Sequence, residues 1–219
     1  MNLKQRLNEE GLQRIKAAVK NAEEKISGEI VPVFVERSGD YTIALYKGSL
    51  IGASLTFISM VVLDRFVIKD AVNTLFYDPL FILLLVILGG VLGAVIPYFS
   101  DAVKRLLVAR AYQDHVTKQC AENAFLDEEV FNTRQRTGIM IFVSFFEHEV
   151  IVMADKGISK IVDQKEWDKI VQDIITDIKG GKVIEALEKG IKRCGDILLE
   201  KGFLKTIDDV NELRDDLRV

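Results

Sequence analysis

Two uncharged apolar runs sit close together inside an otherwise amphipathic chain. Residues 48–63 form the first, and residues 80–99 the second. The second is about twenty residues long, and a helix of that length reaches across a hydrocarbon core of ~30 Å at ~1.5 Å per residue. The first, at about sixteen residues, reaches only ~24 Å on the same rise and reads as short of a full span. Tyr46 and Lys47 precede it as interfacial anchors, and Phe66 extends it, with Arg65 snorkelling. Together the runs predict a transmembrane hairpin that returns the chain to its starting side.

The split of positive charge orients that hairpin. Arg37, Lys47, Lys104, Arg105 and Arg110 flank its open end, whereas the connection 64–78 holds only Arg65 and Lys69. Positive residues stay on the cytoplasmic side, so both flanking parts are expected there, in a multi-pass protein of the inner membrane. The N-terminus leads into a charged helix without the apolar core of a signal peptide.

Two small-xxx-small patterns mark the hairpin's contact faces: Gly48 with Gly52, and Gly89 with Gly93. Such spacing lets helix backbones approach closely. Packing within the hairpin is the expected use, and a homo-oligomer built through the same faces is the alternative. Ile68, Val72, Leu75 and Phe76 predict a short interfacial helix in the connection. Asp78-Pro79 reads as N-cap and first residue of the second span. Pro97 stands where a kink would re-aim the chain.

The rest alternates helix and strand patterns. Leu12, Ile15, Val19, Ala22 and Ile26 predict an amphipathic helix closed by Gly28. Residues 29–36 predict a strand covered on both faces, with Pro32 implying one unpaired edge. A helix is expected from 101 to about 123, either continuous with the second span or re-aimed from it at Pro97. Residues 138–146 and 149–154 predict an antiparallel strand pair around Glu147-His148. Trp167, Ile170, Ile174 and Ile178 mark one further helix, and Ala186, Leu187, Ile191, Cys194 and Leu198 another, separated by Gly180-Gly181. The expected fold is α/β, a small mixed sheet with helices on both faces, interrupted by the hairpin. Its divisions are 1–45, the hairpin 46–100, 101–205, and a peripheral polar tail 206–219.

Charge and cysteine usage exclude several functions. The formal net charge is −4 with no basic run, which argues against nucleic acid. Cys120 and Cys194 are far apart on helical patterns and read as buried free thiols, with neither disulfide nor zinc spacing. His115 and His148 form no catalytic or metal spacing with other residues. No Gly-rich phosphate loop is present.

Three stretches resemble the TPM domain family. They are 27–33, Ser-Gly-Glu-Ile-Val-Pro-Val; 133–144, Thr-Arg-Gln-Arg-Thr-Gly-Ile-Met-Ile-Phe-Val-Ser; and 150–158, ending Asp155-Lys-Gly-Ile, with Trp167 following. The likeness is greatest to the bacterial membrane-embedded branch, in which a hairpin interrupts the domain. The resemblance implies the TPM fold, while function varies within the family. Some relatives bind divalent ions or show weak phosphatase activity, and many carry Asp-Asn-Gly before the central strand. Here that stretch reads Arg136-Thr137-Gly138.

Candidate chemistry is sparse. A calcium or magnesium site would draw on Asp155, with Asp127 or Glu128 beside it. Without such a set, no cofactor is expected and Asp155 is a turn cap. Arg134 and Arg136 form a small cationic loop suited to a phosphate or lipid headgroup, or to local pairing with Asp127 or Glu129. Two functions follow. One is a membrane-anchored, non-catalytic interaction module assisting a membrane protein complex, with the bilayer and an unidentified membrane protein as partners. The alternative is a divalent-dependent phosphatase-like hydrolase.

Overall fold

The computed structural model describes residues 9–66, 78–205 and 211–218. In chain order the elements are α1 (Glu9–Glu23), β1 (Glu29–Val35), α2 (Ile43–Phe66), α3 (Pro79–Phe99), α4 (Asp101–Leu107) and α5 (Arg110–Asp127). Then follow β2 (Gly138–Ser144), β3 (Glu149–Ala154), α6 (Lys156–Ser159), α7 (Gln164–Lys179) and α8 (Val183–Glu200). The chain forms two compact units, Met1–Ser38 with Asp114–Val219, and Gly39–Gln113.

The first unit is built on a three-stranded sheet in the order β1-β2-β3. β1 runs parallel to β2, with Ile30 opposite Ile139 and Phe34 opposite Val143; β2 and β3 are antiparallel, with Ser144 opposite Glu149. Strand side chains alternate between faces. Ile30, Phe34, Ile139, Ile141, Val143, Val150 and Val152 point into the larger core, which α1, α7 and α8 cover through Ile15, Val19, Trp167, Ile174, Leu187 and Ile191. Val31, Val33, Met140 and Phe142 point the other way and meet Ala121, Cys120 and Phe125 of α5. Both faces are therefore covered, which is why β1 and β2 read as nearly unbroken apolar runs. This is the expected mixed sheet with helices on both sides.

Pro32 lies on β1, which is an edge strand, where its missing N–H costs no ladder bond. The segment 211–218 returns to this edge. Arg218 N–H donates to Pro32 O at 3.0 Å, and Phe34 N–H donates to Arg218 O at 2.8 Å. The expected peripheral tail is thus part of the fold, because an edge strand leaves backbone groups that need partners.

The second unit is a helical hairpin. α2 and α3 are each long and apolar enough to cross a membrane, and only 6% of the most apolar window of each is buried by protein. α2 starts at Ile43 rather than residue 48, so its 24 residues extend ~36 Å, and the expected shortfall disappears. The chain beyond Ser38 supplies that extra turn: Ala44 N–H donates to Tyr41 O, and Tyr41 and Ala44 are buried. Asp78 caps α3 by accepting from Leu80 N–H at 2.8 Å, with Pro79 at the first helical position. The predicted interfacial helix over Ile68, Val72, Leu75 and Phe76 lies outside the described residues.

Other expectations need correction. The helix after the second span is not continuous: Ser100 ends α3 and caps α4 by accepting from Val103 N–H, and Val108 is extended before α5 begins. Gln113 fixes this second break, its side-chain amide donating to Arg105 O and Val108 O. α1 ends at Glu23, not at Gly28, and Ile26 forms an isolated antiparallel bridge with Leu204. β2 stops at Ser144, and the β2–β3 connection is four residues, with His148 at φ 56°. The compact unit that holds the hairpin, Gly39–Gln113, also contains α4.

Candidate functional site

The loop from Thr133 to Thr137 enters the central strand beside the end of β3. Its shape is set locally. Thr137 N–H donates to Thr133 Oγ1 at 2.9 Å, and Arg136 N–H to Thr133 O at 3.1 Å. Arg136 itself takes a left-handed backbone, φ 59°. Across from it, Asp155 leaves β3 and caps the short α6 by accepting from Lys156 N–H at 2.7 Å. Gly157 N–H donates to Arg136 O at 2.9 Å. A Cβ at Gly157 would collide with Gln135 O and Arg136 O, so only glycine lets α6 start this close to the loop.

The two side chains meet as an ion pair with one hydrogen bond. Arg136 Nε lies 2.6 Å from Asp155 Oδ2, and Nη2 donates to Oδ1 at 3.0 Å. The carboxylate is buried, its side chain 4% exposed, while the guanidinium is about half exposed and lies over the Phe131 ring. The Nη2–Oδ1 contact is a charge-assisted hydrogen bond, and the Nε–Oδ2 contact is an ion pair without hydrogen-bond geometry.

The remaining candidate residues are dispersed. Arg134 pairs with Glu212, through its backbone N–H at 2.9 Å and its Nε at 3.3 Å. The expected partners, Asp127 and Glu129, are replaced by a residue of the returning tail. Glu128 accepts from Arg218 Nε at 2.9 Å. Asp127 is exposed at the last position of α5, and His115 and His148 are exposed. Among the described residues no group of three or more histidines, cysteines or acids is placed to hold a metal ion. Asp155 and Glu128 each hold an arginine instead. The residues do not fit a divalent cation, which needs several converging oxygens.

Two buried polar clusters escaped the sequence reading. At the carboxyl ends of β1 and β2, Ser38 N–H donates to Glu147 Oε1 at 2.9 Å, Ser38 Oγ to Ser144 Oγ at 3.0 Å, and Ser144 Oγ to Glu147 Oε2. Glu147 is fully buried. At the opposite end of β1, Glu23 accepts from Ile30 N–H at 2.8 Å, and Glu29 accepts from Glu212 and Leu213 N–H. Burial pushes Glu23 up to about 8 and also raises Glu29. The signal for the second cluster was present in the sequence: Glu29 is a charged residue opening an apolar strand. Burial raises the Cys120 thiol and takes Cys194 to about 12; both are free.

In the hairpin, Gly48 faces Gly93 and Gly52 faces Gly89. A Cβ on any of the four would strike backbone or side-chain atoms of the opposite helix.

Residues 103–197 match the family model described as TPM domain. This chain carries a TPM domain. α1 and β1 lie before the matched stretch, yet β1 completes the TPM sheet by pairing with β2. The fold is also that of a solved structure, the NMR structure of BA42 protein from the psychrophilic bacterium Bizionia argentinensis. The TM-score is 0.58 at 18% identity, covering 97% of this chain and 94% of that one. No curated protein matches the sequence.

Proposed function

We propose that this chain is a membrane-anchored, non-catalytic interaction module. α2 and α3 hold it in the bacterial inner membrane, and the TPM domain faces the cytoplasm, where it assists assembly or maintenance of a membrane protein complex. The observation that carries this reading is the Arg136–Asp155 ion pair. The resemblance puts an ion-site carboxylate of relatives where Arg136 stands. The guanidinium meets the buried Asp155 carboxylate with a positive charge of its own. A dication brought there would be repelled by the guanidinium and would have to displace it. That weighs against the hydrolase alternative. The apolar belt left uncovered on α2 and α3 supports the anchoring.

Affinity capture from mild detergent tests the module reading, with recovery of a defined membrane protein as the expected result. Calorimetric titration with calcium and magnesium tests the alternative. Micromolar binding that disappears in Asp155→Ala, together with turnover of a phosphate ester, would overturn the proposal.

A further inference from the structure

The outer edge of β1 carries a specific set of contacts. Ile30 N–H is closed off by the Glu23 carboxyl group. Beyond Pro32, which offers no N–H, the edge presents Pro32 O and Phe34 N–H, and one residue, Arg218, takes both in a parallel bridge. The segment delivering Arg218 contains no helix, and that bridge is its only strand-like element among the described residues. It is held by Glu29 at Glu212 and Leu213 N–H, by Arg134 at Glu212, by Lys16 at Asp216, and by Glu128 at Arg218. In these pairs Arg134 is largely exposed and Lys16 about half exposed, whereas the Arg218 side chain at Glu128 is largely buried. Exposed ion pairs contribute little, commonly under about 1 kcal/mol each. The strand beneath, by contrast, is buried and fixed to β2 along its whole length.

We propose that this edge is a strand-addition site for an extended segment of a partner protein, and that residues 211–218 occupy it in cis. The inference deepens the interaction-module reading and rests on it. The cis segment states the partner's chemistry. The partner strand runs parallel to β1 and pairs its main chain with Pro32 O and Phe34 N–H. It carries an acidic side chain for Arg134, a basic one for Glu128, and an apolar one for the seat of Leu213 beside Val31, Val33 and Phe142. Adding a strand to an open sheet edge supplies affinity through the backbone and specificity through alternate side chains. A tethered occupant competes at high effective concentration, so the site stays closed until a better-matched strand displaces it.

Two measurements on the full chain in detergent decide it. The first is amide exchange of the native protein. Phe34 N–H should exchange through local opening, much faster than Phe142 in the central strand. The second uses a labelled peptide of sequence 211–218 against a full chain whose own segment carries Leu213→Asp and Arg218→Glu. The peptide should bind this variant about tenfold or more tighter than it binds the unaltered chain. N-methylation of the peptide at its Arg218 position should abolish binding, since that N–H reaches Pro32 O. Equal protection of Phe34 and Phe142 would overturn the proposal, as would equal peptide affinity for both chains or indifference to N-methylation. If the variant fails to fold, exchange in the native chain decides alone. Capture of a partner without peptide binding would remove the edge while keeping the module reading; peptide binding without a captured partner would do the reverse.

Discussion

Arg136 grips Asp155 with two nitrogens of its guanidinium, at 2.6 and 3.0 Å, across the gap between the strand β2 loop and the start of α6. The pair closes the place where the resemblance to ion-binding relatives raised the question of a cation. Removing the arginine leaves a buried carboxylate without its counter-charge, a costly change. Arg136→Ala should lower stability by about 1–3 kcal/mol, reduced from the fully buried case because the guanidinium is half exposed. Asp155→Asn keeps the α6 cap and should cost less. Thermal unfolding of the two single variants and the double variant measures the coupling; additive losses would refute it.

The glycine contacts of the hairpin make a geometric prediction. An ideal Cβ on Gly90 lies 3.6 Å from Ala53 Cβ, within disulfide range. Ala53→Cys with Gly90→Cys should therefore crosslink spontaneously under mild oxidation, as mapped by peptide mass. Adding Gly52→Leu and Gly93→Leu should abolish the crosslink, because both side chains would strike the opposite backbone. Crosslinking that survives would exclude this interface.

Glu23 gives the chain a pH dependence of definite sign. Its folded value is about 8 against an ordinary 4.5, chiefly from burial, with the Ile30 hydrogen bond opposing. The folded state holds a proton that the unfolded chain releases above about 4.5. The stability from this group is fully present below that value and declines as pH rises to about 8. Glu29 is raised by burial too and adds in the same direction. Glu23→Gln should flatten the melting profile over this window and raise the melting temperature at its alkaline end. A profile unchanged by the substitution would contradict the assignment.

Topology is open to direct measurement. Reporter fusions after Arg37, at Asn73 and after Arg218 should report cytoplasm, periplasm and cytoplasm. Periplasmic activity at either outer fusion would reverse the orientation.

Much of this fold is legible because its signals are local. The α3 cap needs only Asp78 and Pro79, the strands show their burial in continuous β-branched runs, and glycine spacing marks the hairpin faces. What escaped depends on residues distant in the chain. Arg134 could not be matched to Glu212, nor Arg218 to Glu128, because those contacts exist only once the tail lies along β1. The breaks at Ser100 and Val108 escaped for a different reason. Neither carries glycine or a helix-breaking proline, and the second break is held by Gln113, which satisfies the carbonyls of Arg105 and Val108.

The parallel pairing of β1 with β2 joins residues made before the hairpin to residues made after it. On the ribosome, β1 emerges with its sheet neighbour still unsynthesised, and both apolar helices must follow before that neighbour appears. The central ladder of the domain therefore cannot close until the hairpin between its strands has been made. The sheet is therefore completed only after both helices of the hairpin have left the ribosome.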